Sequence, residues 1–256
     1  MNLKKTSSLL IVCVLFTACS RVYQPALYHQ DIAYQPKPTS FDTSKTANYL
    51  SAGINAYSNY DLSDFLISSQ FNLSRGHVFD NFNLAYGAFG VFGDYQNGTI
   101  NKGESNYFSD KFFGAVGGRA SANLFVTSGR ADIRYLGVEV AYSHEFGGYA
   151  DFRQSIGSSP NYFVDKRTDL FTVGITTEVI FHNRNDNGFQ HGIRGFLGTT
   201  LGHNSLDDTY YADDYTPASK MFRNVFPKAS YFIKFKNYFG TAEIGSQIFI
   251  RFGLKF

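Results

Sequence analysis

The sequence predicts an all-β chain: a single antiparallel up-and-down β-barrel of 8 to 10 strands, inserted in a membrane. Three observations carry that expectation. From Ala47 onward, apolar side chains alternate with Gly, Ser, Thr, Asn or a single charge, the period of two that belongs to strands. Short turns and long polar loops alternate along the middle of the chain, as in a meander with one rim of turns and one rim of loops. The polar faces of the strands also carry too few charges to suit water.

Composition narrows the field first. The 23 Lys+Arg against 21 Asp+Glu leave a net charge of +2, so an electrostatic nucleic-acid binder is excluded. Apolar residues make up 43% and Phe plus Tyr 18% of the 256 residues, which excludes a disordered or coiled-coil chain. Beyond the first 18 residues no apolar run approaches the roughly 20 residues that a membrane helix needs.

Residues 1–18 read as a secretory signal: Lys4 and Lys5, then an apolar stretch from Leu9 to Phe16, then Ala18. Phe16-Thr17-Ala18-Cys19 resembles a lipoprotein box, which implies that Cys19 is acylated and begins the mature chain. An ordinary cleaved signal is the alternative. Cys13 leaves with the signal, so the mature chain has no thiol pair for a disulfide. Residues 19–46 hold Pro25, Pro36 and Pro38 and no periodicity, the pattern of a lipid anchor followed by an extended tether. No acidic run follows Cys19, and a periplasm-facing N-terminus is expected.

Residues 47–256 form the barrel domain. Its strands are expected near 47–58, 64–74, 78–93, 111–126, 131–146, 168–182, 188–202, 228–237 and 247–256, with turns at Arg75-Gly76-His77, Thr127 to Arg130 and Asn183 to Asn187. Nine strands conflict with the even count of a single-chain bacterial barrel. Either the stretch 228–245 is misread or a strand hides in the tether. The last strand is the clearest: Ile248, Ile250, Phe252, Leu254 and Phe256 share one face, and Gln247, Arg251 and Lys255 the other.

Which face looks inward decides between a membrane barrel and a soluble, lipid-tethered one. Series such as Gly117-x-Arg119-x-Ser121-x-Asn123 and Gly174-x-Thr176-x-Glu178 suit a narrow bore in which Arg119, Arg194 and Arg251 neutralise Glu139 and Glu178, since unpaired charges out of water are costly. Val116, Leu136, Val138, Ile175 and Ile193 then face hydrocarbon, with Tyr86, Phe92, Phe112, Tyr142 and Tyr231 as interfacial girdles.

With Cys19, the Tyr23-x-Pro25 step, the strand pattern and a terminal Phe256, the chain resembles small outer-membrane β-barrel proteins, and its start is similar to lipoproteins of the Bacteroidota type. The resemblance implies that barrel-insertion machinery reads Phe256, that outer-membrane lipid surrounds the wall, and that no catalytic residues are carried over.

Candidate chemistry is sparse. Ser143-His144-Glu145 invites a hydrolase reading, but neighbours on a strand point to opposite faces. Asp207, Asp208, Asp213, Asp214 and His203 lack the spacing of a calcium loop, so no metal or cofactor is expected. Gly87, Gly90 and Gly93 open no helix and suit close strand packing rather than a dinucleotide. The function expected is structural or interactive, within a larger outer-membrane complex; a lipid-modifying enzyme and a small gated pore are the alternatives.

Overall fold

The computed structural model describes residues 21–58, 64–97, 107–159, 162–183, 188–201 and 225–256. In chain order these form β1 (Arg21–Tyr23), β2 (Thr46–Ser58), β3 (Asp64–Val78), β4 (Phe82–Asn97), β5 (Asp110–Ser128), β6 (Ala131–Phe146), α1 (Gly148–Ser155), β7 (Tyr162–Val164), β8 (Asp169–His182), β9 (Phe189–Thr200), β10 (Val225–Phe235), β11 (Tyr238–Ile244) and β12 (Ile248–Lys255). Ten of the strands close into an antiparallel barrel, from β2 through β6, then β8 to β12, with β12 paired back onto β2. The remaining two, β1 and β7, make a separate parallel pair.

The tenth barrel strand is β11, so the stretch 228–245 is the misread one. It escapes notice because the turn before it, at Lys236-Asn237, has no glycine: Lys236 itself takes the left-handed conformation at φ 54. The turn expected at Arg75-Gly76-His77 is instead strand, since β3 runs on to Val78 and the chain reverses at 79–81. There Phe79 N–H donates to the Phe82 carbonyl at 2.7 Å.

The faces sort as expected of a membrane barrel. Val138 and Ile250 are 49% and 50% exposed on the outside, while Glu139 and Arg251 keep 2% and 1%. Tyr86, Phe92, Phe112, Tyr142 and Tyr231 all point outward as well. An apolar wall around a charged interior inverts the plan of a soluble barrel and fits hydrocarbon. Val138→Arg, near the middle of β6, is therefore expected to cost about 2–4 kcal/mol in lipid vesicles. A urea-unfolding midpoint unchanged by that substitution would count against lipid contact at Val138.

Of the three glycines in β4, two serve packing. A Cβ on Gly87 would strike the Leu73 carbonyl and Ser74, and one on Gly93 the Ile67 carbonyl and Ser68. Gly90 faces outward, where a Cβ would come no closer than 4.0 Å to the Phe92 ring.

Candidate functional site in the barrel bore

Residues 23–39 are not a free tether. Nearly all are buried, because the segment runs once through the bore from the rim of long loops to the rim of short turns. At its start Tyr23 packs against Phe108, Phe152 and Tyr162, residues of the loop between β4 and β5 and of the connection between β6 and β8. At its end Ser40 meets Asp132 beside the turn between β5 and β6, with its N–H at 2.7 Å and its hydroxyl at 2.6 Å from the carboxylate. Residue 21 therefore lies on the long-loop rim, opposite the short turns and Phe256.

Three prolines and the lack of a partner strand leave this backbone with orphan polar groups, which would be costly in a dry bore. The barrel wall supplies the partners. Arg119 donates to the Asp31 carbonyl, Lys228 to that of Ile32 at 2.8 Å, Arg251 to that of Tyr34, and Arg134 to that of Pro38 at 3.1 Å. Carboxylates take the N–H groups: Glu145 that of Ala26 at 2.6 Å and Glu243 that of Tyr34 at 3.0 Å. Cations on carbonyls and carboxylates on amides make a charge-assisted grip on main chain.

The five residues expected to form a bore network all line it, buried; one pairing follows the expectation and the others do not. Arg194 pairs with Glu139, whereas Glu178 pairs with Arg134 and Arg251 lies 3.6 Å from Glu243. Arg119 meets Asn72 at 2.7 Å and lies over the Phe89 ring at 3.8 Å. Arg134 escapes sequence reasoning because the register shifts between Arg134 and Gly137, and such a bulge reverses the alternation. Glu243 escapes because its strand does. A further pair, Arg153 of α1 with Glu145 at 2.8 Å, also reaches the carbonyls of Asp165 and Arg167 and binds the long loop to the bore.

Two pockets of ≈ 10 Å³ flank the segment, one beside Tyr34, Gln35 and Arg119 and one beside Gln24, Ala26 and Tyr95, each with room for about one water.

Near the short turns, Asp42 accepts from Lys234 at 2.7 Å, lies 3.2 Å from Lys255 and takes the Thr39 N–H at 2.9 Å. Burial alone would raise its carboxyl; the Lys234 charge and hydrogen bond, the Thr39 amide and the Lys255 charge outweigh it and hold the group below the usual carboxylate range. A lowered folded pKa means that the stabilisation is present above the unfolded value, about 4, and is lost as pH falls through the folded one. The difference in melting temperature between the wild type and Asp42→Asn should hold steady from pH 7 to 5 and shrink at more acid pH. A difference that grew on acidification would contradict this sign.

Ser143 and Glu145 point inward and His144 outward. Ser143 Oγ lies 3.4 Å from Asp31, while His144 contacts Asp169 on the outer wall at 3.0 Å, so the three share no site. Among the described residues no group of three His, Cys, Asp or Glu is placed to hold a metal. Cys19, His203, Asp207, Asp208, Asp213 and Asp214 lie outside the described residues. Phe256 is exposed and exchanges main-chain hydrogen bonds with Asn48, both at 2.9 Å, extending the ladder that closes the barrel.

No family model matches the chain, and no curated protein sequence does. Among solved structures, the transport unit of the autotransporter AIDA-I from Escherichia coli is similar at a TM-score of 0.38 and 10% identity, covering 86% of this chain and 92% of that one. An outer membrane channel from Pseudomonas putida F1 follows at 0.35 and 10%, covering 87% and 100%, and the KdgM porin at 0.30 and 13%, covering 82% and 98%. Likenesses of this size assign neither ligand nor activity.

Proposed function

We propose that the chain is an outer-membrane lipoprotein barrel with a structural or interaction role in a larger membrane complex, its bore stoppered by its own N-terminal segment. The observation that carries this reading is the main-chain grip on residues 26–38 by Arg119, Arg134, Glu145, Lys228, Glu243 and Arg251. A bore occupied in this way leaves the apolar wall and the long loops as the surfaces that can act on other molecules. An even strand count and a C-terminal aromatic on the closing strand support the outer membrane as its site and barrel-insertion machinery as its assembly partner.

Affinity purification from gently solubilised outer membrane is expected to yield the chain with a reproducible protein partner, and the purified full-length chain is expected to be silent in planar bilayers. A lone monomer under every mild detergent, or steady conductance from the intact chain, overturns the reading.

A further inference from the structure

The path of residues 21–45 decides on which side of the membrane the chain begins. Val22 and Tyr23 are held in the long-loop cap by the β1–β7 ladder, and the Tyr23 carbonyl accepts the Asp165 N–H at 2.8 Å. The Gln24 carbonyl accepts the Tyr149 hydroxyl at 3.0 Å. At the other end Phe41 stacks on His182 at 4.9 Å, and the Lys45 carbonyl accepts the Val78 N–H at 2.8 Å, both at the rim of short turns. The segment therefore crosses the whole barrel. Cys19 precedes Arg21 by two residues, a reach of at most about 7 Å.

We infer that the acyl chain on Cys19 enters the leaflet on the long-loop side, the outer leaflet of the outer membrane, and that the N-terminus is displayed at the cell surface. The inference rests on the lipoprotein reading above and on the rule that long loops face outward and short turns face the periplasm. It also accounts for the missing acidic run after Cys19: the route across the membrane is the chain's own bore, so no separate surface-export signal is required. The partner of the N-terminus is a lipid surface, and the same surface lies beneath the long loops.

The sequence supplies a clean probe. Its only cysteines are Cys13 and Cys19, one removed with the signal and one capped by lipid, so any introduced thiol is unique. Single variants Ser20→Cys, Ser109→Cys in the loop after β4 and Ser128→Cys at the short-turn rim are exposed, in intact cells, to a membrane-impermeant maleimide. Ser20→Cys and Ser109→Cys should both label at once, and Ser128→Cys only after permeabilisation. Fatty-acid analogue incorporation should be lost in Cys19→Ala. If Ser109→Cys labels while Ser20→Cys stays protected, the inference is overturned and the orientation stands. If Ser109→Cys is itself protected, the outer-membrane orientation fails, and the inference with it. Fatty-acid incorporation that persists in Cys19→Ala, or is absent from the wild type, overturns the anchor.

Discussion

Glu243→Ala is expected to lower the unfolding free energy by about 3–5 kcal/mol, the usual result of stranding buried charge. The Glu243 carboxylate lies between Arg251 at 3.6 Å and Arg194 at 3.8 Å, accepts the Ser230 hydroxyl at 3.1 Å and receives the Tyr34 N–H. Its loss leaves two guanidinium groups facing each other without their shared counter-charge and one main-chain amide unsatisfied. Urea unfolding in lipid vesicles, followed by circular dichroism, measures the cost. The double variant Glu243→Met with Arg251→Met should cost less than the single one, because apolar replacement of both partners removes the stranded charge. A Glu243→Ala variant within about 0.5 kcal/mol of wild type, the range of ordinary surface changes, would falsify the grip on the segment.

The second large effect concerns the bore. Replacing residues 24–39 by a Gly/Ser chain of equal length removes the aromatic and proline bulk while leaving β2 attached. Such a chain should give discrete conductance steps in planar bilayers where the intact protein gives none. The Gly/Ser main chain still offers carbonyls to Arg119, Arg134, Lys228 and Arg251, but the space that the lost side chains filled takes up water, which keeps it wet rather than collapsed. Continued silence, with insertion verified by resistance to heat in the detergent gel, means that the wall itself fills the space and that the segment is not what closes it.

Much of this architecture is legible in the sequence, and the exceptions have local causes. The alternation in Ile248 to Phe256 assigns both faces of β12 correctly because strand geometry leaves no choice there. Arg134 is hidden by a bulge that shifts it onto the face of Glu178. Glu243 is hidden by a turn built on Lys236 rather than glycine. The threaded segment is hidden for a different reason. Its irregular backbone has no period to detect, and its partners lie far along the chain, Lys228 at 196 residues from Ile32 and Arg251 at 217 from Tyr34. Only closure of the barrel brings them to it.

That closure ties the seam to the thread. The strand that follows the segment, β2, is the one that meets β12 over eight residue pairs, Ile248 with Ala56 through Lys255 with Tyr49. Stopper and clasp are thus one continuous stretch of chain, and a tug on the first is felt at the second.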